Sequence, residues 1–272
     1  LLTPNHSGQL PWDGAMVASA VYLEHPEQRL VRTLYASWFP TLPFVSPLFV
    51  KAGQTLASVE NGTRLLEENQ LPVYHCIGNH DIWGWQVDDE GMRSNPLYGK
   101  GWAVQQFKLQ NRFYSFEREK WKFIILDSTQ QDGTGYIARF DEEQLAWLEM
   151  ELKQSPKEKH ICIVSHIPIV SFCSALFFDE MQADGNWKLL KVLLHADARR
   201  VIRLFRNYPN IKVCLSGHIH LQDEVEYLGV RYFCNGAVSG NWWKGPFKDF
   251  APAYALFDFY EDGSVERKMM VY

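Results

Sequence analysis

From about residue 55 onward, segments with a helical pattern of hydrophobic and polar residues alternate with segments that have a strand-like pattern. Three stretches are helical in pattern: TLASVENGTRLLEENQ (55–70), DEEQLAWLEMELKQ (141–154) and an amphipathic segment from about 186 to 207. In the second stretch the leucines fall on one face, and Asp141 and Gln144 stand at the spacing of a helix N-cap and its reciprocal partner.

Short apolar or alternating runs between these stretches predict strands. The runs are LPVYHCIG (71–78), KFIILD (122–127), HICIVSHIP (160–168), IKVCLSGHIH (211–220), 223–228, 230–235, and a closing hairpin of AYALFDFY and SVERKMMVY around Asp262-Gly263. Repeated helix and buried strand indicate an α/β fold in layers, with helices covering the sheet. We therefore predict an α/β sandwich with mixed rather than purely parallel sheets.

The first fifty residues have a different character, with clustered prolines, loosely spaced aromatics and no clear punctuation of strands and helices. We predict an atypical N-terminal segment over 1–54, whose structure the pattern does not assign, and a single domain over 55–272.

Composition narrows the classes of function. The 272 residues carry a net charge of −5 and a pI near 6.0, which argues against a broad nucleic-acid interface. Five cysteines without CxxC spacing favour buried, reduced thiols over disulfides or a structural zinc site. No apolar run is long enough for a membrane span, and no signal segment opens the chain. A cleaved signal leaves no trace, so the compartment stays open, and the oligomeric state is not predicted.

Polar residues with ligand-type side chains follow three of the predicted strands, in CIGNHD, CIVSHIP and CLSGHIH. In open α/β sheets the carboxyl ends of the strands form the edge at which ligands bind. Asn79, His80, His166, His218 and His220 could therefore converge. Neutral imidazole binds divalent transition metals, and an amide oxygen can complete the shell.

A histidine at a strand end has a simpler interpretation when it stands alone, namely a hydrogen-bonded surface or core residue. Three strand ends with metal-binding side chains, each after a buried run, are not expected to arise independently of one another. Taken as a set, the three endings favour a metal site.

The same residues carry a family resemblance. GNHD, then SH, then GHIH resembles the calcineurin-like metallophosphoesterases over about residues 55–272. FIILDS, GTGYIARFDEEQLAWLEMEL and SHIP are similar to the branch with cyclic-nucleotide phosphodiesterases and manganese-dependent ADP-ribose/CDP-alcohol diphosphatases. GAVSGNWWKG is similar to exported bacterial members. The resemblance implies an αββα sandwich and raises the possibility of a periplasmic protein.

The resemblance also implies roles for individual residues. Asn79, His166 and His218 would bind one metal ion and His220 a second. His80 would face the substrate, to protonate the leaving oxygen or steady the phosphoryl charge, and Asp81 would orient its ring. The expected cofactors are one or two ions of Mn, Fe, Zn or Ni.

One half of the family pattern is missing. The family also uses an early Asp-x-His and a following Gly-Asp, whereas the only aspartate before Asp81 is Asp13. Three interpretations remain: a shortened or altered N-terminus, a natural variant with one metal, or a scaffold without activity. We favour the first, because the downstream ligands are intact.

Aromatic and polar residues near the motifs are candidates for substrate binding. Trp83 and Trp242 could stack on or flank an organic phosphate, and Asn241 and Lys244 could contact its phosphate. Core packing and surface solubility are the alternatives. We predict a metal-dependent hydrolase that cleaves phosphoester or pyrophosphate bonds of a small organic phosphate by metal-activated hydroxide. The alternative is a non-catalytic or mononuclear protein of the same fold.

Overall fold

The computed structural model describes residues 34–35, 55–56, 72–178, 182–242 and 244–271. By internal contacts the chain divides into a smaller unit, residues 1–74 with 241–245, and a larger unit, residues 75–240 with 246–272. Most of the predicted N-terminal segment, and residues 57–70 of the first predicted helix, lie outside the described residues. The boundary predicted at residue 55 stays a prediction.

In the smaller unit, two short strands pair in parallel: β1 (Leu34–Tyr35) and β2 (Thr55–Leu56). Thr55 was predicted to open a helix, and that prediction is wrong at these two residues. Backbone pairing with β1 overrides the helical pattern of side chains here.

The larger unit contains the remaining strands and the helices described. The strands are β3 (Tyr114–Arg118), β4 (Trp121–Leu126), β5 (Thr129–Asp132), β6 (Gly135–Ala138), β7 (His160–Ser165), β8 (Ile211–Ser216), β9 (Gln222–Tyr227), β10 (Val230–Asn235), β11 (Ala253–Phe259) and β12 (Val265–Val271). The helices are α1 (Glu90–Arg93), α2 (Gly101–Gln106), α3 (Glu142–Gln154), α4 (Cys173–Leu176) and α5 (Ala198–Phe205).

A six-stranded sheet forms the centre of this unit, in the order β3-β4-β7-β8-β10-β9. Its four inner strands are parallel, whereas β3 and β9 pair antiparallel at the two edges. The sheet is therefore mixed, which confirms the predicted fold class. The carboxyl ends of the four parallel strands meet at one edge, as the candidate site requires.

The two faces of this sheet are covered differently. On one face, Leu148 of α3 and Val201 of α5 pack with Ile124, Ile163 and other strand residues. On the other face, Val265, Phe257 and Phe259 of the β11–β12 hairpin pack with Trp121, Cys162, Val213 and Phe233. Successive residues of β4 and β7 thus face opposite cores, as the two-residue period of a strand dictates. The described residues show three layers, helices, sheet and hairpin, of the expected sandwich.

Residues 72–78, predicted as a strand, form no ladder within the described chain. The burial that the apolar pattern predicted is present at Ile77, which is 1% exposed. Its neighbours are held by side chains instead: the Tyr114 hydroxyl donates to the His75 carbonyl at 2.9 Å, and the Cys76 thiol donates to the Leu126 carbonyl. An apolar run predicts burial, but a ladder also needs a backbone partner.

Only the second half of the amphipathic segment 186–207 is helical, as α5. The preceding residues form turns that are tied to the end of β6. Ala138 donates to the Lys191 carbonyl and accepts from the Ala196 amide, both at 2.8 Å. These two bonds hold the backbone in an irregular path although its side chains suit a helix.

Helix α3 confirms one half of its predicted N-cap and corrects the other. The Asp141 carboxylate accepts from the Gln144 amide at 2.9 Å, as predicted. The Gln144 side chain does not reach back to Asp141. It is fully buried and bonds both backbone groups of Asp127, at 2.7 and 2.8 Å. A buried glutamine thereby fixes the residue that follows β4.

The predicted strands 223–228 and 230–235 pair as a hairpin, and the predicted closing hairpin is present. Leu228 (φ 53°) and Gly229 (φ 79°) form the turn between β9 and β10, and both are left-handed. The second hairpin, β11–β12, turns at Asp262-Gly263. Within the part of the chain that the structure describes, no helix is both long and apolar enough to cross a bilayer.

Candidate metal centre

Three of the predicted ligands come from three separate parts of the larger unit. His166 directly follows β7, and His218 lies two residues after β8, the next strand in the sheet. Asn79 begins a short 3-10 turn, Asn79–Asp81. The parallel strands bring their carboxyl ends side by side, and the turn adds the third side chain.

Their polar atoms meet at one point. Asn79 Oδ1 lies 2.8 Å from His166 Nε2 and 3.1 Å from His218 Nδ1, and these two nitrogens are 3.1 Å apart. The structure therefore brings together the three side chains that were predicted to bind one ion, although 139 positions separate Asn79 from His218.

A backbone carbonyl determines which nitrogen His218 offers. His218 Nε2 lies 2.8 Å from the Val192 carbonyl oxygen, which can only accept, so the proton is on Nε2. Burial lowers the pKa of His218 to about 4, and the ring is neutral at pH 7. Its Nδ1 therefore carries a free lone pair directed at Asn79 and His166, which is the form that binds a metal.

His166 is also held neutral. Burial, followed by the neighbouring imidazoles of His218, His80 and His220, lowers its pKa to about 3. The three other histidines of the motifs therefore lie close enough to His166 to disfavour a positive charge on its ring. Protonation of these imidazoles is unfavourable, so their lone pairs are available to bind a metal cation.

The second histidine of GHIH offers the opposite nitrogen. His220 Nδ1 lies 2.6 Å from the Gly240 carbonyl oxygen, so Nδ1 carries the proton and Nε2 is left with the lone pair. Both histidines have left-handed backbones, with φ of 67° at His218 and 61° at His220. Such conformations cost about 1–3 kcal/mol in a non-glycine residue and concentrate at functional sites.

Gly78 permits the close approach of the Asn79 turn to His166. A Cβ at position 78 would lie 3.0 Å from two atoms of the His166 ring. A side chain at position 78 would therefore require the His166 ring to shift by a few tenths of an ångström.

His80 and Asp81 occupy the same turn. His80 is exposed, as a residue that meets substrate would be. The Asp81 carboxylate accepts from the Gly78 amide at 2.8 Å, which closes the turn. The hydrogen bonds of the described residues include none between Asp81 and the His80 ring, and the predicted orientation of that ring by Asp81 stays a prediction.

The predicted substrate residues are distributed over both units. Trp83 is 37% exposed, and its backbone pairs with Gly99 in the larger unit. Asn241, Trp242 and Lys244 belong to a turn of the smaller unit, in which the Asn241 amide donates to the Gly245 carbonyl and the Lys244 amide to the Asn241 carbonyl, each at 2.9 Å. Their role in substrate binding stays a prediction.

The three converging donor atoms suit one face of a metal's coordination shell. Ligands about 2.1 Å from a common ion and roughly at right angles lie about 3 Å apart, which matches the distances among Asn79, His166 and His218. No cluster of three or more His, Cys, Asp or Glu with metal-binding geometry occurs in the described residues. Asn79, His166 and His218 thus form a partial coordination shell of two imidazoles and an amide.

Several contacts of this centre could not be read from the motifs. The Val192 carbonyl lies in the misjudged 186–197 stretch, and the Tyr136 ring packs edge-on against His218 at 6.2 Å between centroids. Asp127, the acid after β4, is fully buried and forms ion pairs with Lys100 and Arg112. Its charge is therefore already compensated.

A family model described as calcineurin-like phosphoesterase matches residues 49–222. The chain belongs to the calcineurin-like phosphoesterase family. This confirms the resemblance that the motifs indicated, and this phosphoesterase is accordingly a hydrolase of phosphoester bonds that uses divalent metal.

Curated relatives point to the same branch. The phosphoesterase is 25% identical to the 3',5'-cyclic-nucleotide phosphodiesterase alr5338 of Nostoc, over 79% of this chain and 71% of that protein. It is also 25% identical to the 3',5'-cyclic adenosine monophosphate phosphodiesterase CpdA of Escherichia coli, over 65% of this chain and 54% of CpdA. A solved dimetal phosphatase from Danio rerio covers 95% of this chain and 89% of its own, with 16% identity and a TM-score of 0.49. The comparisons do not support the exported location that the sequence suggested.

Proposed function

We propose that this phosphoesterase cleaves a phosphodiester bond in a small organic phosphate, with Asn79, His166 and His218 holding a transition-metal ion. The observation that carries the proposal is the convergence of these three donor atoms within 2.8–3.1 Å. The names of the relatives favour a diester over a monoester or a pyrophosphate.

The chemistry of the donors supports a transition metal. Two neutral imidazoles and an amide oxygen suit Mn, Fe, Zn or Ni better than Mg or Ca, which prefer oxygen ligands. When bound, such a cation supplies a Lewis acid that neutralises charge on the phosphoryl oxygens and acidifies coordinated water. His166 and His218 hold it in place as neutral ligands, and His220 offers Nε2 as a donor for a second ion.

The test compares substrates and a matched pair of histidine variants. We expect Mn²⁺-dependent hydrolysis of bis-p-nitrophenyl phosphate and of 3',5'-cyclic AMP, with slower hydrolysis of p-nitrophenyl phosphate and ADP-ribose. His166→Asn removes a direct ligand, so its turnover should fall by more than about 100-fold, beyond the roughly 10–100-fold lost with outer-shell partners.

His160→Asn is the control, because His160 lies at the opposite end of the same strand and bonds the Glu261 carbonyl. Its turnover should stay within about twofold of the parent. Absence of metal-dependent hydrolysis of all four substrates would overturn the proposed activity. Faster cleavage of ADP-ribose would replace a diester by a pyrophosphate substrate.

The proposed role of His80 has its own test. His80 is exposed on the turn that also presents Asn79, and we assign it the proton that the leaving oxygen takes up. His80→Ala should lower turnover by about 100–10,000-fold while the bound metal, measured by elemental analysis, is unchanged. Loss of the metal together with activity would show that His80 is a ligand instead.

A further inference from the structure

We propose that His195 and Asp197 are positioning residues of the metal centre, which hold the segment 190–197 so that the Val192 carbonyl fixes the tautomer of His218. This inference rests on the proposed function, since it concerns the same centre. Neither residue touches the converging donor atoms; both act through the backbone between them and Val192.

The link from Val192 to the centre is a single hydrogen bond. Val192 accepts from His218 Nε2 at 2.8 Å, and this bond leaves Nδ1 unprotonated toward Asn79 and His166. Without that acceptor the ring can carry its proton on Nδ1, where the lone pair is needed. The position of one carbonyl oxygen therefore decides whether His218 is ready to bind a metal.

The backbone of the segment 190–197 is fixed on both sides of Val192. Ala138, at the end of β6, bonds Lys191 on one side and Ala196 on the other, each at 2.8 Å. The Pro168 carbonyl accepts from the His195 amide at 3.2 Å. Hydrogen bonds from the end of β6 and from the loop after β7 thus hold the irregular backbone that takes the place of the predicted helix.

His195 and Asp197 connect this segment to the start of α3. His195 Nδ1 donates to Asp197 Oδ1 at 2.9 Å, and Asp197 Oδ2 accepts from the Phe140 amide at 3.0 Å. The His195 ring lies 4.3 Å from the Phe140 ring between centroids. One carboxylate thus joins the side chain of the segment to the backbone that leads into α3.

The other nitrogen of His195, Nε2, indicates that this side chain does more than fill space. The side chain is fully buried, and Nε2 has no hydrogen-bond partner among the described residues. A phenylalanine would fill the same apolar space against Phe140 without burying an unpartnered nitrogen. What histidine adds here is the Nδ1 bond to Asp197.

Packing transmits the position of the segment as well. Leu193 and Ile219 are buried in one hydrophobic cluster, and Ile219 stands between His218 and His220. The Leu193 carbonyl also accepts from the buried Ser174 hydroxyl. Any displacement of the segment therefore reaches the GHIH turn through side chains as well as through the Val192 carbonyl.

The experiment measures the tautomer and the metal affinity separately. In metal-free protein labelled with ¹⁵N-histidine, NMR should show His218 protonated on Nε2. His195→Phe should shift part of the His218 population to the Nδ1-protonated form and weaken Mn²⁺ binding, measured by calorimetry, by about 10–100-fold. His195→Asn, whose amide can donate in place of Nδ1, should restore most of the affinity.

The matched control is His160→Phe, which removes a half-buried histidine at the opposite end of β7 and should leave both readouts unchanged. If His195→Phe does not fold, Asp197→Asn replaces it, because its side chain can still accept from Phe140 while the charge on the His195 bond is lost. Unchanged tautomer and affinity in the variant that folds would overturn the inference. If the parent protein binds no metal, the proposed function fails, and the tautomer of His218 still decides this inference.

Discussion

The two histidines of GHIH are the same residue type, but the structure protonates a different ring nitrogen in each. His218 donates a hydrogen bond from Nε2 to the Val192 carbonyl, and His220 donates one from Nδ1 to the Gly240 carbonyl. Each therefore presents a different nitrogen for binding. The motif predicts that imidazoles gather at this edge of the sheet, but the choice of nitrogen depends on carbonyl groups 20 or more positions away.

Gly78 provides a prediction at the residue scale. Its φ of −105° is open to any residue, so Gly78→Ala adds no backbone strain, but the new Cβ would lie 3.0 Å from the His166 ring. The ring has to shift. We expect Mn²⁺ affinity to fall by about tenfold and the free energy of unfolding to fall by about 1 kcal/mol.

Gly135→Ala is the control for this variant, because a Cβ there meets its nearest atom only at 3.7 Å. Calorimetry and urea unfolding on both proteins check the prediction. Equal metal affinity in the two variants would show that His166 has room to move without loss.

At the scale of elements, burial was easier to predict than hydrogen bonding. Strands β4, β7 and β8 were predicted correctly because their apolar runs are buried on both faces of the sheet. The segment before α5 was misjudged because a helical pattern of side chains also suits turns that are tied to Ala138. The partner of Gln144 lies 17 positions away, and no local pattern encodes such a contact.

The β9–β10 turn leads to a prediction at this scale. Leu228 is left-handed and 54% exposed, so it has an unfavourable backbone conformation and little buried surface to lose. Leu228→Asn creates Asn-Gly, the sequence that this type of two-residue turn prefers. We expect the variant to be more stable by about 1 kcal/mol, measured as a higher urea midpoint with an unchanged slope.

Leu256→Asn is the comparison, since Leu256 is similarly exposed (50%) but lies within β11, where asparagine is unfavourable. It should be neutral or destabilising. A gain of stability in both variants would attribute the effect to loss of surface leucine rather than to the turn.

For the whole molecule, the centre makes stability depend on pH in the absence of metal. The pKa values of His166, about 3, and His218, about 4, lie below the value near 6.5 expected in the unfolded chain. Between these values the unfolded state binds more protons than the folded one. The free energy of unfolding should therefore fall as the pH drops from about 6.5 to about 4, by about 1.4 kcal/mol per pH unit for each histidine.

Urea unfolding of the metal-free protein at pH 7.0, 5.5 and 4.5 checks this dependence. The lowered pKa of His75 acts in the same direction, and those of Asp141 and Asp197 act below about pH 4. His166→Asn should reduce the slope by the share of one histidine. An unchanged slope in this variant would mean that folding does not lower the pKa of His166.

The separation of 139 positions between Asn79 and His218 has a consequence for the order of events during folding. Closing so long a loop carries an entropic cost, so we expect these contacts to form after β4, β7 and β8 have aligned. On this expectation the three donors do not come together in a nascent or partly collapsed chain. A metal ion would then bind only after the chain has reached its final topology. It would stabilise the folded state and would not initiate folding.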